Sequence, residues 1–134
     1  MATIKTKYEG NLRTFSTHLA SGSDIMTDAP LDNHGKGEAF SPTDLVSASL
    51  GACMLTVMGI AAKAHDIDFN NINMEITKIM ALNPRRIAEI AIVFYFNGKE
   101  YNDHQKLILE KAARTCPVAM SLHPDLKQSI VFNW

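Results

Sequence analysis

The chain lacks most of the sequence features that mark a specialised class of protein. Its 134 residues carry a formal net charge of −1, so a basic surface for nucleic acid or for an anionic membrane is not expected. The first residues lack the apolar core of a secretory signal, and no segment is expected to span a bilayer. Neither an internal repeat nor a low-complexity tract is present. These absences predict one globular domain over residues 1–134, located in the cytoplasm.

The common signatures of metal, phosphate and disulfide chemistry are also missing. The five histidines form no i, i+4 pair, so a metal site is not expected. Gly35-Lys36-Gly37 follows no strand and opens no helix, which favours a loop tip over a phosphate-binding loop. The two cysteines, Cys53 and Cys116, are too far apart in sequence for a CxxC redox motif or a compact zinc knuckle. We therefore predict that the chain holds no cofactor.

Alternating strand and helix patterns fill most of the sequence. Runs of β-branched and apolar residues between turn residues predict six strands. They are Thr3–Tyr8, Leu12–Leu19, Asp24–Thr27, Ile72–Leu82, Ile87–Phe96 and Ser129–Phe132. Helices are predicted from Ser41 to about His65 and from Asn102 to Cys116, with a short turn of helix over Val118–Leu122. This order predicts an α+β fold in which mostly antiparallel sheets pack on two principal helices.

The first predicted helix has a clear start and an unusually apolar body. Ser41 can cap the helix, Pro42 suits its first position, and Asp44 can complete a capping box. The following residues are apolar nearly all round, which is typical of a central, buried helix. Small residues such as Gly51 and Gly59 would let other elements approach its backbone closely.

Each cysteine is predicted to lie on the inward face of a principal helix. Cys116 continues the apolar stripe of Leu109 and Ala113, and two packed helices could bring the sulfurs within bonding range. Pattern alone still favours two inert buried thiols. A reactive Cys53 would need a nearby cation, because it lies almost three turns into its helix. Arg13 is the best placed candidate, although its pattern alone favours a solvated strand arginine.

Two longer motifs resemble one known family. "FSPTDLVSASLGACM" and "KAARTCPVAMSLHP" are similar to the two cysteine-bearing segments of the OsmC/Ohr family of thiol peroxidase-like proteins. "YEGNLRTFSTH" and "TDAPLDNHGKGEAFSPTDL" resemble the amino-terminal part of OsmC-like sequences. The resemblance extends over nearly the whole chain.

The resemblance implies a fold, an activity and roles for three residues. It implies an intertwined α+β homodimer with two active sites at the subunit interface, which reduces organic hydroperoxides in defence against oxidative stress. Cys53 would be the peroxidatic thiolate, Cys116 the resolving thiol, and Arg13 the arginine that activates the thiolate and orients the peroxide. Cys53 would form a sulfenic acid and then a disulfide with Cys116. An external dithiol, in the family a protein-bound dihydrolipoamide, would restore both thiols.

One position departs from the family pattern. Organic hydroperoxide resistance proteins have a glutamate directly after the proline of the helix motif, where this chain has Thr43. Asp44 and Glu38 are the nearby carboxylates. Apolar residues expected around Cys53 would favour organic peroxides; they are Phe40, Leu50, Met54, Leu55, Met58 and Met120. The departure at Thr43 keeps open an alternative function, a dimeric protein that binds an apolar ligand and has structural cysteines.

Overall fold

A computed structural model describes all residues from 1 to 134, and the chain divides into two compact units, residues 1–46 and 47–134. The strands are β1 (Ile4–Gly10), β2 (Arg13–His18), β3 (Asp24–Asp28), β4 (Asn73–Ala81), β5 (Arg86–Tyr95) and β6 (Lys127–Asn133). The helices are α1 (Pro42–Ala64), α2 (Asp103–Arg114) and α3 (Pro117–Ser121), with a short 3-10 helix at Leu31–Asn33. The predicted elements are therefore confirmed, with boundaries that differ by a few residues.

The first unit contains an antiparallel sheet in the order β1-β2-β3. Its strands follow one another along the chain because short turns connect them, and the register places Thr17 opposite Asp24 and Arg13 opposite Asp28. Large apolar side chains on this sheet remain exposed, among them Ile4, Tyr8, Phe15, Ile25 and Met26. This sheet therefore leaves apolar surface uncovered in the single chain.

Helix α1 begins as the sequence predicts. The Ser41 amide donates to Asp44 Oδ2 at 2.9 Å, and the Asp44 amide donates to Ser41 Oγ at 3.1 Å, which is a capping box. One stripe of the helix is buried: Ser47, Leu50, Gly51, Met54, Met58 and Ala62. The prediction of burial all round is wrong, because Thr56 and Ile60 on the other face are exposed, Ile60 to 65%. Its many small residues make the helix apolar in composition, but only one stripe of it is buried in the core.

The expectation that no segment could span a bilayer also needs correction. Helix α1 is long and apolar enough to cross a membrane by length and composition, with a mean hydropathy of 1.9 over its best window. The same length and composition occur in core helices of soluble proteins, so this is weak evidence for a membrane span.

The second unit contains a sheet in the order β4-β5-β6. Strands β4 and β5 form an antiparallel hairpin, whereas β6 lies parallel to β5. The parallel pair arises because the chain passes through α2 and α3 before it returns to the sheet, and parallel strands require such a crossover. Alternate residues of β5 form its inward face, since Ile90, Ile92 and Phe94 are all buried, as is Phe96 just after the strand.

The helices after β5 are defined by their caps. Asn102 and Gln105 form a capping box at the start of α2, and α2 ends at Arg114, two residues before Cys116. Strand β6 is tied to both helices. Gln128 Nε2 donates to the Ala119 carbonyl of α3 at 3.0 Å, and Trp134 Nε1 donates to Glu110 of α2 at 3.3 Å. These contacts fix the segment that carries Cys116.

Candidate functional site

Cys53 lies on α1 next to the buried stripe and is half-buried. Its helix approaches β4 closely at Gly51, where an added Cβ would lie 2.5 Å from Ile76 Cδ1 and 2.6 Å from Met74 Sδ. Such distances are too short for real atoms, so glycine permits this approach of helix and strand. Gly51 precedes Cys53 by two residues. The close contact of α1 with β4 at Gly51 therefore also sets how far the Cys53 thiol lies from the sheet.

Cys116 is completely buried and occupies the N-cap of α3. Pro117 follows at the first helical position, which it suits because it has no N–H to leave unpaired. A residue before proline is held in the extended region, and Cys116 has φ −66° and ψ 148°. Its Sγ accepts a hydrogen bond from the Ala119 amide at 3.4 Å. The Cys-Pro pair thus directs the sulfur inward at the start of the short helix.

The structure brings the two thiols together. Cys53 and Cys116 are both free, and Cys53 lies near enough to raise the pKa of the Cys116 thiol. Burial raises the pKa of the Cys116 thiol, and the neighbouring Cys53 raises it further, whereas the Ala119 amide lowers it. The pair is therefore asymmetric: Cys53 is partly accessible, and Cys116 is enclosed and favours its protonated form.

The structure changes two expectations from the sequence, one about the position of Cys116 and one about the apolar residues around Cys53. Cys116 was expected on the inward face of the second principal helix, but it follows the end of α2 and caps α3 instead. Of the apolar residues expected to contact a substrate, Leu50, Met54 and Met58 have no exposed surface and belong to the core. Met120 is 67% exposed and can meet a ligand. Phe40 and Leu55 also keep exposed or partly exposed surface.

The third predicted site residue, Arg13, lies in the first unit and has a carboxylate partner there. Arg13 Nε donates to Asp28 Oδ1 at 2.7 Å, and Arg13 Nη2 donates to Asp28 Oδ2 at 2.8 Å. This is the bidentate geometry that fixes the plane of a guanidinium group. The hydrogen bonds raise the pKa of Arg13 and lower the pKa of Asp28. Arg13 is therefore a paired, oriented cation and differs from a solvated strand arginine.

Asp28 is held by the loop that follows it. It is 1% exposed, and its Oδ2 accepts a third hydrogen bond from the Glu38 amide at 3.1 Å. The loop returns close to its own start, since a Cβ at Gly35 would lie 1.7 Å from the Ala29 carbonyl oxygen. Gly37 has a φ of +62°, which also favours glycine. The Gly-Lys-Gly sequence thus builds a folded loop over the Asp28 carboxylate.

The carboxylates considered from the sequence have other roles. Asp44 caps α1 through Ser41. The Glu38 carboxylate lies 3.9 Å from Arg13 Nη2 and is 64% exposed, so it is a weaker partner than Asp28. Thr43, at the position of the family glutamate, lies with its hydroxyl 3.2 Å from that of Ser41. The sequence analysis missed Asp28. The strand register across the Ser21-Gly22 turn would have placed it opposite Arg13.

Comparison with protein families gives a match over most of the chain. The model of the OsmC-like protein family matches residues 35–130. The matched segment includes Cys53 and Cys116 but begins after Arg13 and Asp28. No curated protein matches the chain significantly.

Solved structures give matches over nearly the full length. A protein from Psychrobacter arcticus, named for a proposed role in osmotic stress and detoxification, is 50% identical with a TM-score of 0.95. That match covers 99% of this chain and 96% of the other. An OsmC-like protein from Mycoplasma pneumoniae is 19% identical with a TM-score of 0.81, covering 97% and 94%. An organic hydroperoxide resistance protein from Legionella pneumophila is 16% identical with a TM-score of 0.77, covering 100% and 98%. These last two likenesses show the fold alone.

Proposed function

The chain belongs to the OsmC-like protein family, and on this basis we propose that it is a thiol-dependent peroxidase for organic hydroperoxides. The observation that carries the proposal is the proximity of the thiols of Cys53 and Cys116, which come from distant positions in the chain to lie near enough that Cys53 raises the pKa of Cys116. The Legionella relative is named an organic hydroperoxide resistance protein, which agrees with this reaction class. The family is linked to osmotic stress and hydroperoxide resistance, and the finer assignment of a peroxidase is our own.

The different surroundings of the two sulfurs support different roles. Cys53 is partly accessible and can meet a peroxide, so it is assigned as the peroxidatic residue. Cys116 is buried, its pKa is raised by that burial, and it stays a thiol until a neighbour reacts with it. It is therefore assigned as the resolving residue. The reverse assignment would require a peroxide to reach a sulfur with no exposed surface.

The proposed reaction has three steps. The Cys53 thiolate attacks the terminal peroxide oxygen, the O–O bond breaks, and the alkoxide leaves as an alcohol after taking up one proton. Cys53 is then a sulfenic acid, and Cys116 attacks it, forms the disulfide and releases water. An external dithiol reduces the disulfide by exchange and becomes a disulfide itself. Protein-bound dihydrolipoamide is the dithiol that the family resemblance suggests.

We assign to Arg13 the stabilisation of the negative charges in the first step. A guanidinium group near the reacting atoms stabilises the thiolate and the negative charge that grows on the leaving oxygen. Its bidentate pair with Asp28 keeps the group ordered. An exposed apolar side chain such as Met120 favours a peroxide with an alkyl group over hydrogen peroxide. We assign the reaction to the cytoplasm, where a reducing environment keeps both thiols free.

We also propose that the working form is a homodimer. Large apolar side chains of the first sheet are exposed, as is Ile60 on the outer face of α1, and exposed apolar patches mark interaction surfaces. A second copy of the chain would cover them, in agreement with the intertwined dimer that the family resemblance implies.

The proposal is tested by peroxide treatment of the reduced protein. Cumene hydroperoxide in slight excess should form an intramolecular Cys53–Cys116 disulfide, seen by intact mass as the loss of two hydrogen atoms. The Cys116→Ser variant should stop at a sulfenic acid that dimedone traps, and Cys53→Ser should consume no peroxide. A Cys53→Ser variant that consumes peroxide at the native rate would refute the peroxidatic assignment.

The alternative is a dimeric protein that binds an apolar ligand and has structural cysteines. The exposed apolar side chains of the chain are the observation in its favour. It predicts that peroxide leaves both thiols reduced. A thiol titration before and after peroxide treatment separates the two functions.

A further inference from the structure

We propose that Gln128 is a positioning residue for Cys116 and that it acts through helix α3. Its hydrogen bond to α3 holds the Cys116 sulfur where it can attack the oxidised Cys53. The proposal rests on the proposed peroxidase function, because Cys116 is assigned to the second step of that reaction. Gln128 has no part in the first step, the attack of Cys53 on the peroxide.

Gln128 is a polar side chain on the inward face of β6. In the parallel register it lies beside Ile90, as Phe132 lies beside Phe94, and both of these β5 residues are buried. The rings of Phe94 and Phe132 stack with their centroids 5.1 Å apart, and alternate residues of a strand share a face. An amide on this face must find its partners within the protein. Gln128 Nε2 donates to the Ala119 carbonyl of α3 at 3.0 Å.

Helix α3 is too short to satisfy its own carbonyl groups. It has five residues, and the last four carbonyl groups of a helix have no partner within it. The Ala119 carbonyl is one of these, and Gln128 supplies its donor. The amide of the same alanine donates to Cys116 Sγ at 3.4 Å. Ala119 therefore connects the two side chains, because one of its backbone groups binds Gln128 and the other binds the sulfur.

Gln128 can hold α3 in place because its own strand is fixed. Strand β6 pairs with β5 along its whole length of seven residues. Just after the strand, Trp134 stacks on Phe96 with ring centroids 4.1 Å apart, and its Nε1 donates to Glu110 of α2. A helix of five residues has little stability of its own. The hydrogen bond from Gln128 thus ties a marginal helix to a well-anchored strand.

The position of the Cys116 sulfur decides how fast the disulfide forms. A disulfide requires a narrow range of distances and dihedral angles, and a misplacement of about 1 Å can slow a reaction between held groups about a hundredfold. Without the Gln128 donor, the Ala119 carbonyl loses its partner and α3 is free to shift. The Cys53 sulfenic acid then persists longer. A second peroxide molecule can transfer an oxygen atom to it, which gives the sulfinic acid and one alcohol.

The test compares the native chain with Gln128→Met and the matched control Gln105→Met. Methionine keeps the length of the side chain and removes the donor. Gln105 Oε1 accepts from the Asn102 amide at 3.0 Å at the start of α2, so the control also loses a side-chain amide hydrogen bond but leaves α3 untouched. Reduced protein is mixed with cumene hydroperoxide and quenched at intervals, with and without dimedone. Intact mass then gives the rate of Cys53 thiol loss, the rate of disulfide formation and the yield of sulfinic acid.

Gln128→Met should lose the Cys53 thiol within about twofold of the native rate, because the first step takes place on α1. It should form the disulfide about tenfold more slowly or worse, and its yield of sulfinic acid should rise. In Gln105→Met both rates should stay within about twofold of native. A residue that only stabilised the fold would leave both rates unchanged in the folded variant.

A native rate of disulfide formation in Gln128→Met would overturn the positioning role while the peroxidase function stands. Equal slowing of both steps, or equal slowing in Gln105→Met, would overturn it as well. If the native chain consumes no peroxide, the three proteins are compared in a glutathione redox buffer. A smaller fraction of the Cys53–Cys116 disulfide in Gln128→Met alone would keep the positioning role while the peroxidase function falls, and equal fractions would overturn both.

Urea unfolding of each variant shows whether Gln128→Met folds. If it does not, Gln128→Asn replaces it, because asparagine keeps the amide but ends one methylene group short of the Ala119 carbonyl. The proposal then expects disulfide formation in Gln128→Asn to be slower by about tenfold or more, with the first step within about twofold of native. A native rate of disulfide formation in that variant would contradict the proposal.

Discussion

The close approach of α1 to β4 gives a sharp mutational test of how Cys53 is placed. Gly51 and Gly59 both lie inside α1, and replacing either by alanine should strengthen the helix itself by about 1 kcal/mol. Their surroundings differ. A Cβ at Gly51 would meet Ile76 and Met74 at 2.5 and 2.6 Å, whereas a Cβ at Gly59 would meet only Phe69, at the ordinary contact distance of 3.8 Å.

The packing contribution decides whether each substitution stabilises or destabilises the protein. Gly59→Ala should stabilise the protein by about 1 kcal/mol, because nothing opposes the gain in helix propensity. At Gly51 the added methyl group overpacks the interface, which costs about 1–3 kcal/mol. The net effect of Gly51→Ala is then between neutral and about 2 kcal/mol destabilising. The propensity gain is common to both variants, so the difference between them, about 1–3 kcal/mol, isolates the packing term.

Urea unfolding followed by far-ultraviolet circular dichroism measures this difference, at one protein concentration and with both thiols reduced. If the slopes of the two transitions agree, the midpoints convert directly to a difference in the free energy of unfolding. The peroxide assay on the same variants links packing to function. Gly51→Ala should slow disulfide formation because it moves Cys53, and Gly59→Ala should not. Equal stability of the two variants would show that the ends of the Met74 and Ile76 side chains yield without strain, and would refute the reasoning.

Two further predictions concern the buried thiol and the exposed helix face. Because burial raises the pKa of Cys116 in the folded protein, stability should be unaffected below the unfolded pKa of ~8.5 and should fall as the pH rises above it. Urea midpoints from about pH 7 to about pH 10 should show this decline in the reduced native chain but not in Cys116→Ala. If the outer face of α1 is covered by a second copy, Ile60→Lys should shift the protein towards monomer in light scattering. Leu82→Lys, at a turn residue that is 69% exposed, is its control, and equal shifts in both variants would contradict the dimer interface.

The elements that depend on local chemistry could be predicted from the sequence. The capping box of Ser41 and Asp44 defines the start of α1, and the one built on Asn102 defines the start of α2, because each is completed within four residues. The inward face of β5 also follows from its alternation. The parallel pairing of β6 with β5 could not be predicted in this way, because it depends on how α2 and α3 carry the chain across the sheet.

The residues of the candidate site also differ in whether they could be predicted from the sequence. Cys53, Cys116 and Arg13 could be selected from residue type, predicted helix faces and family resemblance. Asp28 could not be selected so directly, because its role depends on cross-strand register and on a loop that closes over it. An aspartate before a polar loop is common in proteins. Only the strand register that places Asp28 opposite Arg13 distinguishes it from Glu38 and Asp44 as the partner of the arginine. Register is a tertiary property that composition and periodicity do not contain.

The position of Cys116 supports a redox role more strongly than its burial does. An N-cap residue satisfies free amides at a helix start, and the oxygen of serine, aspartate or asparagine does this well. The Cys116 sulfur is a weaker acceptor, and it receives the Ala119 amide at 3.4 Å. Capping therefore does not explain the choice of cysteine here. A sulfur that lies near Cys53 and has no exposed surface is suited to capturing a sulfenic acid, a reaction that no oxygen side chain could replace.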